Sequence, residues 1–596
     1  MDFQFDAALF FQGGSVLTGQ ELNLRQTAPD LYEGHTEAVR VRLETGSRIL
    51  LSVENHSRLA LEKAQWRMTC SGKNISHCRV PLPCTVRESG IIDLQQAKAS
   101  PASTMFTGLF YGSDKPCLLL GTQLPQNNIH NYRASALSDD TVEITGTTEY
   151  TVGQSVMETL CTETALVIYG SSPLEAMQQY ADHLPDLPAG QLPAPMVGWN
   201  SWDYYFTTVS SEAVEENLEV IRRDPLLRER LKCAVIDDGW ETCVGEWYTN
   251  HRFPEGLQGL ADRIRSCGLI PGIWTNGAQA RDLSYPTLRQ PELFIKDEFG
   301  IPQTADGMAI LDPTHPETEK FVLETYSRLY EAGFRIFKVD FLSTILQGKR
   351  FHDPACGPYE AVRRLLRLIR KAVGPDSHIV GCSYPAECGP GIVDSSRISV
   401  DIHNHWLHVL WIMEYMQARF WCNGKLFRSD PDMLVVRGSD TSLEEETNVF
   451  NPWNLVPPGK DRFSSRWRRG PVFNYAEAET WANLVVFSGG DIMLGDRLSM
   501  LNEKGMGLVH SHLTPHSHAA VPLDLGDKEV SEFWYDSQTR SLLMVNTADC
   551  MEEMEFSFPA FGLAVPDTVS CGKPFTYQNG IFCVALRAHE SAVICW

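Results

Sequence analysis

The chain contains no run of about 20 apolar residues, the length a helix needs to cross a bilayer, so a membrane span is not expected. It has no basic excess either. Its 51 Lys and Arg face 75 Asp and Glu, a formal net charge of -24 over 596 residues. A surface that acidic argues against nucleic acid or an anionic membrane as the partner. The acidic residues are scattered rather than gathered in a tail, which reads as solubility. The opening stretch Met1-Asp2-Phe3-Gln4-Phe5-Asp6 has no basic segment ahead of an apolar one, so it does not read as an export signal and a cytoplasmic location is expected. The 16 cysteines show no repeated close spacing. Free thiols are therefore expected rather than a disulfide framework. Asn55-His56-Ser57 and Asn74-Ile75-Ser76 match the glycosylation sequon, which matters only in a secreted protein. No internal repeat stands out beyond an alternation of strands and helices in the middle of the chain.

What is present sorts into three textures. Up to about residue 185 short alternating runs such as Val39–Glu44, Ile49–Glu54 and Thr141–Gly146 are broken by turn residues, the pattern of a β-sandwich. A Pro-rich stretch follows (Leu184-Pro185, Leu187-Pro188, Leu192-Pro193, Ala194-Pro195) and reads as a boundary. Eight strand candidates then alternate with amphipathic helices: Met196–Trp202, Cys233–Trp240, Leu269–Asn276, Phe334–Phe341, His378–Tyr384, Arg397–Ile402, Met433–Arg437 and Asp491–Asp496. Eight such units over some 300 residues predict a (β/α)₈ barrel. An open doubly wound sheet is the alternative, but no Gly-rich phosphate fingerprint follows the first strand. From about Leu513 short strands return to the C-terminus. The expected architecture is a multidomain α/β protein: an N-terminal β-sandwich (1–190), a TIM barrel (191–510) and a small C-terminal β-domain (511–596).

Active sites of such barrels lie at the C-terminal ends of the strands. The fourth candidate places Ile336, Lys338 and Asp340 on one face and Phe337, Val339 and Phe341 on the other, because strand side chains alternate. The sixth repeats this logic, with Arg397, Ser399 and Asp401 sharing a face. An isolated K-x-D is more often a structural ion pair, but here an inward cation is twice followed by an inward carboxylate. Tryptophans also stand at strand ends, and together these suggest a sugar pocket: carboxylates accept from hydroxyls, and indole faces cover the C–H patches of a pyranose. Glycoside cleavage needs two carboxyl groups in different protonation states. Lys338 beside Asp340 favours an ionised nucleophile. Asp401 is the candidate proton donor, a role that Arg397 opposes unless its guanidinium points at the sugar.

The set GWNSWD (198–203), DDGW (237–240), GIW (272–274), FKVDF (337–341), GCS (381–383) and R-I-S-V-D (397–401) resembles the glycoside hydrolase family 36 α-galactosidases, whose clan also holds α-N-acetylgalactosaminidases. The resemblance covers the barrel and the order of the domains. It implies a retaining double displacement with Asp340 as nucleophile and Asp401 as general acid/base. It also implies that Asp237 and Asp238 grip the O4 and O6 hydroxyls of galactose, that Trp202 and Trp274 wall the pocket, that Lys338 and Arg397 bind the sugar, and that Cys382 lies near O2. An axial O4 lies close to O6, so adjacent carboxylates can serve both, whereas an equatorial O4 would leave an acceptor unpaired. Two loops depart from the family pattern, Thr275–Ala278 and Ser383–Cys388. They leave open whether the 2-substituent is hydroxyl or N-acetyl.

The expected activity is thus a retaining exo-glycosidase acting on terminal α-D-galactosyl residues. An α-N-acetylgalactosaminidase, a transglycosidase and a non-catalytic carbohydrate-binding protein are the rivals. The partner is an α-galactoside or related oligosaccharide or glycoconjugate, and a homo-oligomer is compatible with the family. No cofactor is expected. His403-Asn404-His405 follows Asp401 directly and would suit a metal, but no matching ligand set occurs at other strand ends, so a place on the pocket rim is expected and metal is not. His510, His512, His516 and His518 read as a linker, Asp430 and Asp432 as loop residues ahead of a strand, and Glu387 as a second pocket acid or a solvated loop residue.

Overall fold

A computed structural model describes residues 2–83, 89–187, 192–443 and 471–596. Its centre is an eight-stranded parallel sheet: β1 (Val197–Asn200), β2 (Cys233–Ile236), β3 (Ile270–Asn276), β4 (Ile336–Asp340), β5 (His378–Gly381), β6 (Ser395–Arg397), β7 (Arg428–Asp430) and β8 (Ile492–Leu494). Neighbours in sequence are neighbours in space, and β1 pairs with β8. The sheet nearly closes into a barrel. The Asp491 N–H donates to the Ser429 carbonyl at 2.9 Å, and Leu434 forms a parallel bridge to Leu494.

Amphipathic helices cover the outside. The helix Pro358–Val373 turns Val362, Leu365, Leu366 and Ile369 onto the barrel. Arg363 on the same helix is buried as well, because its guanidinium reaches the Gln126 carbonyl of the N-terminal sandwich while pairing with Glu360. Between β1 and β2 lie two helices, Ser211–Arg223 and Pro225–Arg230. Pro225 cannot continue the first helix, and Asp224 caps the second by accepting from the N–H groups of Leu226 and Leu227.

Before the barrel, a five-stranded and an eight-stranded sheet, both antiparallel, pack face to face around Trp66, Leu51, Val53 and Tyr132. Besides two single-turn helices, Leu94–Ala97 and Val152–Ser155, the longer helix Pro173–His183 interrupts this mostly β region; Ser172 caps it by accepting from the Glu175 N–H. After the barrel, a five-stranded and a three-stranded sheet enclose Phe556, Phe558, Phe582 and Ile594. The boundary expected at 190/191 lies outside the described residues, and the one at 510/511 falls in the last turn of the helix Glu503–Ser511. Within and after that helix the histidines are engaged: His510 pairs with Asp224 and His516 with Asp536, each at 2.8 Å. All cysteines among the described residues are free. No described helix is long and apolar enough to cross a membrane.

Two strands differ from expectation. The sixth ends at Arg397, not Ile402, so Arg397, Ser399 and Asp401 do not alternate on one strand face. Its partner β7 runs into Pro431, which has no N–H to donate; the last bond of the ladder is Ile398 N–H to Asp430 O at 3.0 Å. The seventh is Arg428–Asp430, not Met433–Arg437. The apolar run Met433–Val436 is fully buried as expected of a strand, but it lies beyond the strand end. Asp430 therefore closes a barrel strand, and Asp432 stands at the barrel mouth.

Two buried histidines make stability pH-dependent. Burial pushes His130 down to about 3 and His378 down to about 4. The unfolded chain takes up protons at these rings near pH 6.5, whereas the folded chain refuses them until far lower pH. Stability from these groups is therefore complete above pH 6.5 and is lost as pH falls toward 4. Melting followed by circular dichroism at pH 7 and pH 5 should show a lower midpoint at pH 5, and the drop should shrink in a His130→Gln variant. An unchanged drop in that variant would deny the ring this role.

Candidate active site

Each strand delivers side chains to the C-terminal mouth. On β4, Lys338 and Asp340 point inward and are buried. Lys338 does not pair with Asp340. Its ammonium lies 2.8 Å from Asp237 Oδ2, at the end of β2. Burial opposes the charge on Lys338, but Asp237, the Cys382 thiol and Asp340 outweigh that and raise its pKa. Asp237 also accepts from Asn200 Nδ2 of β1 at 3.0 Å, and its own N–H donates to Ser201 Oγ at 2.9 Å. β1, β2 and β4 are thus tied together at the pocket floor by one carboxylate.

Asp340 is held by two N–H donors. Oδ2 accepts from the Trp274 indole at 3.1 Å and Oδ1 from the Phe341 N–H at 2.7 Å. Trp274 is fixed by the next layer of rings. Its carbonyl accepts from Trp240 Nε1 at 2.9 Å, and Trp247 meets it edge-on. Phe341 departs from the expected apolar face of β4. It leaves the strand with φ 59°, is 39% exposed, and stands edge-on to Trp274 at the mouth.

Asp238 follows Asp237 at the rim. Burial, then the neighbouring Glu241, Asp237 and Asp340, push its pKa far up, so near neutrality the Asp238–Glu241 pair holds a proton. A proton shared in this way lets Asp238 donate to a hydroxyl as well as accept from one. Glu241, whose Oε2 accepts from the Gly239 N–H at 3.2 Å, was not among the residues expected here.

On the far side, Arg397 at the end of β6 is buried. One of its nitrogens, Nη2, faces Asp401 Oδ1 at 2.9 Å and Asp432 Oδ2 at 3.0 Å. The other, Nη1, approaches the Cys382 sulfur at 3.8 Å. The Asp401 side chain keeps 30% exposure, while Asp432 keeps 3%. The buried Cys382 thiol lies within the fields of Asp340, Arg397, Lys338 and Asp401; burial and the two carboxylates raise its pKa well above the usual thiol range. Eight of the nine residues expected at the site are therefore brought together, with Cys382 linking the two halves. Trp202 stands on the first-strand side, its N–H on Asn200 Oδ1 at 2.8 Å and its ring against Phe206.

Four of the twelve described non-glycine residues with positive φ stand at the same mouth. Phe206, Phe341, Ser383 and Asp432 all have positive φ, at 48°, 59°, 42° and 90°. Such conformations cost a non-glycine residue roughly 1–3 kcal/mol and cluster at functional sites. Glu387 is elsewhere: it is 2% exposed and accepts from Thr104 of the N-terminal sandwich at 3.0 Å, so it is neither a pocket acid nor solvated. His403 is buried on Asp203 at 3.2 Å, and His405 donates through Nδ1–H to the Pro471 carbonyl, 2.9 Å away. Among the described residues no group of three or more His, Cys, Asp or Glu side chains is arranged to hold a metal ion.

The same fold occurs in solved structures. A family 36 α-galactosidase of Geobacillus stearothermophilus, AgaA, superimposes over 99% of this chain and 89% of its own, with TM-score 0.58 and 12% identity. This chain has the fold of the family 36 α-galactosidases. TtGalA, an α-galactosidase of Thermus thermophilus solved with p-nitrophenyl α-D-galactopyranoside, matches over 80% of this chain and 92% of its own, with TM-score 0.57 and 19% identity. By sequence, a probable α-galactosidase B of Talaromyces emersonii is 24% identical over 292 residues, 44% of this chain. The match spans 61% of that relative's length, less than two thirds of it. No protein-family model matches the chain.

Proposed function

We propose that the chain is a retaining exo-glycosidase that releases terminal non-reducing α-D-galactosyl residues. The observation that carries this reading is the pair of carboxylates in unlike settings across one pocket: Asp340, buried and held by two N–H donors, and Asp401, partly exposed and sharing its guanidinium with Asp432. A fixed carboxylate suits attack at carbon, and a more exposed one can trade protons with a leaving group and then with water.

In the first step an Asp340 oxygen attacks carbon 1, and the bond to the leaving oxygen breaks as that oxygen takes the Asp401 proton. The product is a galactosyl ester of Asp340 and a free alcohol. In the second step Asp401, now ionised, takes a proton from water as the water oxygen attacks carbon 1 and expels Asp340. The two inversions restore the starting configuration. Asp237 and Asp238 receive O4 and O6, Trp274 covers the ring, and Cys382 and Arg397 lie toward O2. The Lys338 ammonium, 2.8 Å from Asp237 Oδ2, fixes that carboxylate in place as an acceptor.

Initial rates on 4-nitrophenyl α-galactoside and 4-nitrophenyl α-N-acetylgalactosaminide, with Asp340→Ala as control, test the reading. The galactoside is expected to react faster by 10-fold or more, on the order expected when a buried, well-filled position must accept an added group. A faster N-acetyl substrate would move the specificity to the amino sugar on the same scaffold. No turnover above the control on either would defeat the enzymatic reading in favour of carbohydrate binding.

A further inference from the structure

Asp432 is a buried carboxylate at the mouth to which the mechanism above gives no task. Its placement is specific. Oδ2 faces Arg397 Nη2 at 3.0 Å and accepts from the Ile402 N–H at 2.5 Å. Ile402 is the residue after Asp401, so Asp432 grips the acid/base loop from both sides, through Arg397 and through the backbone. Its own N–H donates to Asp430 Oδ1 at 2.9 Å, and its backbone is held at φ 90°. A residue kept in so unfavourable a conformation is there because its neighbours over-determine it.

The charges explain what the grip does. Arg397 brings one positive charge to two carboxylates, Asp401 and Asp432, so the trio is neutral only when it also holds one proton. The other charges facing Asp432 are Asp430 on β7 and Lys338 on β4. A cavity of about 20 Å³ beside it is lined by Asn200, Lys338, Asp430, Asp432 and Asp491, room for little more than a water molecule. Lys338 is already paired with Asp237, so it does not neutralise the trio. Burial pushes the Asp432 carboxyl upward; Arg397 and Lys338 oppose this, while Asp401 and Asp430 add to it.

We infer that Asp432 is a positioning residue that keeps Asp401 a proton donor: the two carboxyls hold one proton between them around Arg397, and Asp432 denies Asp401 an exclusive ion pair. The inference rests on Asp401 being the acid/base. Without the Asp432 charge, Arg397 would belong to Asp401 alone, and its carboxyl would lose the proton at lower pH.

Asp432→Asn removes the charge and keeps an oxygen for the Ile402 N–H. The kcat/KM–pH profile is read with two galactosides: a simple alkyl galactoside, whose leaving oxygen needs a proton, and the 2,4-dinitrophenyl galactoside, whose leaving group departs as a stable anion. On the alkyl substrate the alkaline limb should move down by about one pH unit or more, with a loss of about 30-fold or more at pH 7, within the range of general acid catalysis. On the dinitrophenyl substrate the rate should stay within about 3-fold of wild type, because no proton transfer is needed. Equal losses on both substrates with an unmoved limb would overturn the inference and leave Asp432 a structural residue. Where Asp432→Asn does not fold, Asp432→Ser also removes the charge, keeps an acceptor, and carries the same expectations. A wild-type enzyme inactive on both galactosides would instead defeat the proposed function, an outcome told apart because it precedes any variant.

Discussion

Asp340→Gly should lower turnover of 4-nitrophenyl α-galactoside by about 10⁴-fold or more, the scale seen when a covalent nucleophile is removed, while galactose still binds. The geometry explains the split. Asp237, Lys338 and Arg397 do not depend on Asp340 for their partners, so their side of the pocket remains ion-paired. The Trp274 indole and the Phe341 N–H lose their acceptor. The space they face admits a small anion, so added azide should restore cleavage, attack carbon 1 from the side Asp340 used, and give a galactosyl azide of inverted configuration. Chromatography and proton NMR of the product read that configuration. Wild-type turnover in the variant, or rescue with retained configuration, would remove Asp340 from the nucleophile's place.

Asp237→Asn is expected to lower kcat/KM for galactosides by about 10³-fold, equivalent to about 4 kcal/mol. Two losses add. The buried Lys338 ammonium, 7% exposed, is left without its 2.8 Å partner, and breaking a buried pair from one side costs about 3–5 kcal/mol. The amide also offers a weaker acceptor to the axial hydroxyl, since hydrogen bonds to charged groups are stronger. Discrimination against the matching glucoside should narrow in the same variant. Steady-state rates on the two epimers decide this; an unchanged galactoside rate would mean that O4 is read elsewhere.

The fold was largely legible because its signals are periodic and repeated. Eight inward strands, most of them followed by a helix, leave little architectural freedom, and the helix Pro358–Val373 buries the apolar stripe Val362, Leu365, Leu366 and Ile369. The polar ends of the strands were legible too, since Asp237, Asp340 and Arg397 are carboxylates and cations that a barrel interior would not otherwise tolerate. Partners were not. Lys338 stands two residues from Asp340, yet it reaches across to Asp237, because strand pairing sets which inward side chains meet and sequence distance does not. Asp432 was misplaced for a similar reason. The run Met433–Val436 reads as a strand by composition, and only the ladder-breaking Pro431 marked the strand end one position earlier. That proline was the available signal. Glu387 could not be placed at all, since its partner Thr104 lies 283 residues away in another layer of the molecule.

The same Glu387–Thr104 bond bears on how such an architecture can be taken apart. Phe106 and Tyr180, N-terminal to the barrel, share one continuous apolar core with Trp421 of the barrel and Trp534 of the C-terminal region. Cutting between the sandwich and the barrel would uncover that core and leave buried Glu387 with only the Tyr359 hydroxyl, 3.4 Å away, in place of Thr104. The barrel is therefore a poor cassette for transplantation. A chimera that exchanges the sandwich for another must carry over Thr104 and its apolar neighbours, or redesign the surface they leave.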